Sequence, residues 1–263
     1  MFYVSNAMVQ SDSRRVFVLI EAVLLTMLAA ALMAAWPLLR GSFGWSWDAL
    51  NHHIYLGMTA ESPRWSKDVA AAASQTYQHP YLYWPIYRLS LLNGSGALVS
   101  AVWTATQTAL IMMPVWVLIY RMLPDEEEAW EARACRALAF FLALASLPLL
   151  GALRTTANDA LAAVPLLWAL AIGLGFPGRF SAAVGSAGLV GVAVAFKFSN
   201  VLFLPMLAVV WWQPSPPRFP LRLAVLMALA AGVGFAIIYT PWGWQLWRET
   251  GNPFYPHLGR FFS

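Results

Sequence analysis

The feature that most constrains this chain is the apolar run over residues 16–39, whose only ionisable residue is Glu21. The run is longer than the apolar core of a secretory signal, and it exceeds the about 20 residues that a helix needs to cross a bilayer. Only 11% of the chain is charged, whereas a soluble domain carries about a quarter charged residues. The sequence therefore predicts a helical membrane protein rather than a soluble one.

Six further apolar segments follow, separated by charged residues, prolines and glycines. They cover residues 97–120, 137–153, 160–176, 181–196, 199–213 and 221–240. Together with 16–39 they predict an all-α integral membrane fold of about seven transmembrane helices, forming a single module over 1–263. This leaves a long first loop over 40–96, and a C-terminal segment over 241–263.

The loops divide the polar residues unequally between the two sides of the predicted membrane. Arg14 and Arg15 precede the first span and favour an internal N-terminus. The loops 40–96 and 241–263 then lie outside, and they hold all four histidines of the chain. The last six spans carry no central charge, which disfavours an ion-coupled transporter. The absence of a basic run argues against nucleic-acid binding.

The first outer loop contains the densest group of chemically useful side chains. Asp48 and His52 are four residues apart, as are Asn51 and Tyr55, so a helix would place each pair on one face. A second helical stretch is predicted from Asp68, and the loop is therefore expected to contain amphipathic helices. Loops of this length tend to be functional.

Four short motifs resemble the GT-C superfamily of integral-membrane glycosyltransferases. They are the Trp-Asp-x-x-x-His-His-x-Tyr stretch over 47–55, Arg-Thr-Thr-Ala-Asn-Asp over 154–159, Phe-Lys-Phe-Ser-Asn over 196–200 and Glu-Thr-Gly-Asn-Pro-Phe-Tyr-Pro over 249–256. The resemblance implies a polyprenyl-phosphate-linked sugar as donor and a catalytic aspartate after the first helix. It also implies a single sugar transfer to a lipid or glycan acceptor.

On this resemblance Asp48 is the expected general base, and Lys197 and Arg154 are the expected contacts of the lipid phosphate. Such a reaction needs a base for the acceptor hydroxyl and cations for the departing phosphate. Asp159 and Asp68 are left to orient the acceptor. The remaining expected substrate-binding residues are polar side chains of the same outer loops: His52, His53, Tyr55, His79, Asn158 and Asn252.

Simpler structural roles remain open for the same residues. Asp48 and the Asn158–Asp159 pair can cap helices, and Lys197 and Arg154 can anchor short helices at the interface. No cofactor is expected. A divalent metal at His52 and His53 is disfavoured because adjacent residues of a helix point to different faces, and because no Asp-x-Asp pairing surrounds Asp48.

The sequence also leaves the functional class open. The first alternative is a non-catalytic subunit that binds or scaffolds a lipid-linked glycan, and the second is a transporter or flippase. Members of the superfamily usually extend beyond seven helices, so this chain is expected to be minimal, truncated or dependent on a partner chain. The expected location is a bacterial inner membrane, where the protein contacts the membrane lipids. The site is expected to open to the outer face of that membrane.

Overall fold

A computed structural model describes residues 2–41, 47–68, 71–92, 94–123, 130–211 and 221–262. Within those ranges the chain is helical and contains no β-strand. Ten α-helices form the described part of the chain: α1 Phe2–Arg40, α2 Ile54–Thr59, α3 Trp84–Ser90, α4 Gly96–Met122, α5 Trp130–Leu144, α6 Leu147–Leu153, α7 Asp159–Gly175, α8 Phe180–Phe196, α9 Leu204–Trp211 and α10 Leu221–Thr250. The all-α prediction is confirmed.

Three of these helices contain stretches long and apolar enough to cross a membrane. They are Val16–Arg40 within α1, Gly96–Met122 and Leu221–Thr250. Helices α5 and α6 make a fourth candidate if the bent pair is taken as one span, while α7 and α8 are shorter apolar helices of 17 residues each. These helices support the membrane class that the sequence predicts.

The predicted span over 137–153 is wrong as a single continuous helix. Helices α5 and α6 meet there at an angle of 61°, and α6 begins after Ser146 with Pro148 in its first turn. Proline has no N–H to donate to the carbonyl four residues earlier, and its ring crowds the preceding turn. A helix consequently ends before it and a new one starts, with proline in a first turn where an N–H is not needed.

Two other predicted boundaries also differ from the structure. The segment predicted as a span over 199–213 begins with a 3₁₀ helix over Phe198–Phe203 and continues into α9, while residues 212 and 213 lie outside the described residues. Helix α10 continues to Thr250, so the predicted outer segment over 241–263 starts inside a helix. The acidic run over 125–128 lies outside the described residues.

The helices pack in an order that places the start of α7, the end of α8 and the interior of α10 together. Helix α1 packs on α4, α4 on α7, α7 on α8, and α8 on α10. The contact of α8 with α10 is made backbone to backbone, because a Cβ at Gly191 would lie 1.9 Å from the Ala231 carbonyl oxygen. This close approach brings Lys197, which follows α8, near the α10 residue Tyr239.

On the opposite half of the bundle, a charged pair joins α1 to α5. The fully buried guanidinium of Arg136 lies 3.3 Å from the Glu21 carboxylate and 5.3 Å above the Tyr120 ring. Glu21 is the only ionisable residue of the apolar run over 16–39, and nothing in that run indicates a partner for it. The structure instead gives it a partner on another helix.

Candidate active site

The described part of the loop over 47–92 lines a cavity of about 510 Å³ together with the start of α7, the end of α8 and Tyr239 of α10. All four histidines of the chain line this cavity, although they come from three separate segments. Seven of the eleven residues predicted for the site also line it: Asp48, His52, His53, His79, Asn158, Asp159 and Lys197. The fold therefore brings these dispersed residues to one cavity.

The wall formed by the loop begins with Asp48 and a π-helical turn over Ala49–His53. The Asp48 carboxylate is 59% exposed and lies 3.7 Å from Nδ1 of the buried His52, which is too long for a direct hydrogen bond. Burial lowers the pKa of His52, and the neighbouring carboxylate only partly opposes this effect. Asp48 occupies the position before the turn but accepts no capping hydrogen bond, so the simple capping role is not what the structure shows.

The expectation that His52 and His53 point to different faces is wrong. Both side chains line the cavity, and their ring centroids are 4.1 Å apart. A π-helical turn holds more residues than an α-helical turn, so the angle between successive side chains is smaller. Adjacent histidines can therefore share one wall.

His53 connects the loop to the segment that precedes α7. Its Nδ1 lies 2.6 Å from the Thr156 hydroxyl, and its ring stacks on Tyr83 with centroids 4.8 Å apart. Burial, assisted by the neighbouring His52, lowers the pKa of His53 to about 4. The imidazole is consequently neutral at pH 7 and acts as a hydrogen-bonding and stacking group rather than as a cation.

The end of α8 and the start of α7 present an ion pair in the same cavity. Lys197 donates to the Asp159 carboxylate, and the two side chains are 43% and 54% exposed. Asn200 holds this corner in place, because its amide donates to the carbonyls of Ala162 in α7 and Ala193 in α8 at 3.0 and 2.9 Å. The ion pair is therefore positioned by three segments and remains accessible from the cavity.

The third wall is aromatic. His79 is buried, with its ring 5.0 Å from Tyr81 and 6.2 Å from Tyr239, and neither ring nitrogen has a hydrogen-bond partner. Burial lowers the pKa of His79 to about 4. The Tyr239 hydroxyl donates to the Pro253 carbonyl at 3.0 Å, which fixes this ring against the C-terminal turn.

Two of the predicted residues are held outside the cavity by charged or aromatic partners. Arg154 places its guanidinium 4.1 Å above the ring of Trp36 in α1. Asp68 pairs with Arg64 at 3.3 Å. The structure therefore leaves Lys197 as the one predicted phosphate contact that lines the cavity.

Asn252 and Tyr55 also lie outside the cavity. The buried Asn252 side chain accepts from the Phe254 backbone N–H at 2.8 Å and donates to the His257 carbonyl at 2.6 Å. This closes the turn that carries His257 into the cavity. Burial raises the pKa of Tyr55, whose hydroxyl has no hydrogen-bond partner.

Several lining residues were missed by the sequence reasoning. They are mostly aromatic or amide side chains: Gln75, Tyr77, Gln78, Tyr83, Phe196, Phe198, Tyr239 and Tyr255. The dense aromatic run after His79 was a usable signal for Tyr83. No sequence signal marked Tyr239, because it lies in a long apolar helix and resembles any other residue of a membrane span.

Among the described residues, no group of three or more His, Cys, Asp or Glu side chains is arranged to hold a metal ion. His52 and His53 lie near Asp48, but this grouping does not form such a set.

Searches against models of protein families, curated proteins and solved structures found no match to this chain. The fold itself defines the class: within the described residues the protein is all-α, with three helices long and apolar enough to cross a membrane.

Proposed function

We propose that this protein is a membrane glycosyltransferase of the GT-C type, which moves one sugar from a polyprenyl phosphate to a hydroxyl of a lipid or glycan acceptor. The observation that carries the proposal is the meeting of Asp48, Lys197 and Asp159 in one cavity, where the outer loop, the end of α8 and the start of α7 come together. A carboxylate and a cation in one cavity are the minimum that such a transfer needs.

Asp48 is proposed as the general base. Its carboxylate is the exposed acidic group on the loop wall, so an acceptor hydroxyl in the cavity can reach it. In the reaction the acceptor oxygen forms a bond to the anomeric carbon while the bond from that carbon to the phosphate oxygen breaks. The hydroxyl proton passes to Asp48, and the bonding electron pair leaves with the polyprenyl phosphate. One essential carboxylate is sufficient for this inverting displacement.

Lys197 is proposed to contact the phosphate of the donor. Among the described residues that line the cavity it is the only lysine or arginine, and the start of α7 lies beside it. A lysine ammonium stabilises a phosphate oxygen as a point charge, and helix N-termini favour anions. Arg154 is left out of this role because its guanidinium faces Trp36.

The aromatic wall and the neutral histidines are proposed to hold the sugar. Binding sites for small molecules combine apolar and aromatic surface with a few placed polar groups. Tyr83, His53 and His79 present such a surface, and both histidines are uncharged at neutral pH because of their lowered pKa. A neutral wall also avoids competing with Lys197 for the phosphate.

The seven-span topology belongs to the same proposal. Helices α7 and α8 have 17 residues, at the lower end of the range for a spanning helix, and we propose that they cross the membrane with the longer ones. The cavity would then open to the outer face of a bacterial inner membrane, where lipid-linked sugars are presented to acceptors.

The test is the release of polyprenyl phosphate from lipid-linked sugars by the purified protein in native-lipid membranes, comparing wild type with Asp48→Asn. We expect the variant to lose turnover by about 1,000-fold while it retains donor binding, because only the base is removed. The matched control is Glu249→Gln, which changes an exposed carboxylate at the end of α10 that does not line the cavity.

Equal turnover by wild type and Asp48→Asn would remove Asp48 from the chemistry. If both proteins bind the donor and neither turns it over, the result supports a non-catalytic subunit that binds lipid-linked glycans.

A further inference from the structure

The Lys197–Asp159 ion pair raises a question about the donor phosphate, since the proposed cation already has an anionic partner. We infer that the Asp159 carboxylate is an internal competitor for Lys197, which weakens phosphate binding and promotes release of the polyprenyl phosphate product. This inference rests on the proposed function and concerns the affinity of the same site.

Three properties of the pair make it a reversible one. Both side chains are about half exposed, so solvent and any ligand in the cavity can reach them. Ion pairs that are exposed to this degree contribute little to stability, and breaking one is correspondingly easy. The corner itself is held by Asn200 through two backbone carbonyls, so it does not depend on the pair for its position.

A phosphate entering the cavity is a stronger partner for Lys197 than a single carboxylate. It presents several charged oxygen atoms to the ammonium group, and charge-assisted hydrogen bonds to phosphate are strong. Asp159 would then be left beside a second anion, at a distance at which like charges repel appreciably. The carboxylate therefore opposes the phosphate twice, by occupying Lys197 and by its own charge.

The competition matters most for the product. The donor is a phosphate diester with one negative charge, whereas the released polyprenyl phosphate is a monoester that carries between one and two. Without a competitor, Lys197 would hold the product more tightly than the donor. Return of Asp159 to Lys197 provides a charge that replaces the departing phosphate.

Asp159 could instead be a scaffold that orients Lys197 for the phosphate. The two roles predict opposite changes when the charge of Asp159 is removed. A scaffold predicts weaker phosphate binding by Asp159→Asn, whereas a competitor predicts tighter binding.

The experiment measures the dissociation constant of farnesyl phosphate for the detergent-purified full chain at low salt. We expect Asp159→Asn to bind the probe about fivefold more tightly than wild type, because a like charge within the cavity has been removed. Lys197→Gln should bind it more weakly. Asp159→Glu keeps the charge and should retain the affinity of the wild type.

The matched control is Glu61→Gln, which breaks the ion pair with Arg88 outside the cavity and should leave the affinity unchanged. If Asp159→Asn binds farnesyl phosphate as tightly as wild type or more weakly, while Lys197→Gln loses affinity as expected, the competitor role of Asp159 is overturned. The proposed phosphate contact of Lys197 then remains intact. Absence of binding by wild type and all variants would overturn both.

Discussion

The contact of α8 with α10 gives a prediction whose size follows from the geometry. Replacing Gly191 with alanine would place a Cβ 1.9 Å from the Ala231 carbonyl oxygen and 2.8 Å from the Phe235 nitrogen. Both are backbone atoms, so no side-chain rotation relieves the clash. Reaching an ordinary contact of 3.4 Å requires the two helices to separate by about 1.5 Å.

The energetic cost follows from two opposing effects. Overpacking of a close-packed interior costs about 1–3 kcal/mol, and here the stiff backbone places the cost at the upper end. Replacing glycine with alanine in a helix by itself stabilises the folded state by about 0.5–1 kcal/mol. The net loss is about 2 kcal/mol, which corresponds to a fall in Tm of about 4–8 °C for a chain of this size.

The assay is thermal unfolding of the detergent-purified protein, with Gly185→Ala as the matched control. Gly185 lies on the same helix, and nothing lies within 4 Å of the point that its Cβ would occupy, so this substitution should leave Tm unchanged or raise it slightly. A Gly191→Ala protein as stable as Gly185→Ala would refute the close backbone contact of α8 with α10.

Three further predictions concern single side chains, each followed by Tm. The pKa of His79 is about 4 in the folded protein and 6.5 when unfolded, so its contribution to the free energy of unfolding is fully present above pH 6.5 and is lost as the pH falls toward 4. His79→Phe should therefore reduce the fall of Tm between pH 6.5 and pH 4, and the same fall of Tm in wild type and variant would contradict this. Glu21→Gln removes one carboxylate from the buried Arg136 and should cost about 1.5–3 kcal/mol, and an unchanged Tm would argue against the pair. Asn252→Ala removes two hydrogen bonds from the C-terminal turn and should cost about 1–3 kcal/mol, while an unchanged Tm would deny it that role.

The helices were largely predictable because length and apolar composition dictate them. The runs over 16–39 and 97–120 fall inside α1 and α4, where uninterrupted apolar residues admit no other structure in a membrane. The break at Pro148 was missed because the hydropathy on both sides is continuous. The proline itself was the available signal.

The site residues at helix ends could be predicted from the sequence more readily than those in the loop. Asp159 and Lys197 stand at the boundaries of apolar runs, so their common location follows from the alternation of helices. The stacking of Tyr83 on His53 was not predictable, because it depends on how α3 folds back onto α2. Gly57 makes that contact possible, since a Cβ there would lie 2.5 Å from the Tyr83 carbonyl oxygen.

The partner of Arg154 was unpredictable for a related reason. Its position after a short helix suited either an interfacial anchor or a phosphate contact, and the sequence does not show which neighbour is nearer. In the structure the neighbour is Trp36, on a helix more than a hundred residues earlier in the chain. Contacts of this range are set by packing rather than by local pattern.

We propose that the cavity transfers a sugar from a polyprenyl phosphate. Its most direct test is to supply wild-type protein in proteoliposomes with a panel of radiolabelled polyprenyl-phosphate sugars and a membrane extract that contains acceptors, and to follow the labelled sugar. We expect free polyprenyl phosphate to accumulate from at least one donor while the label moves to an acceptor. A donor that is bound but stays intact, or that crosses the bilayer unchanged, would contradict it.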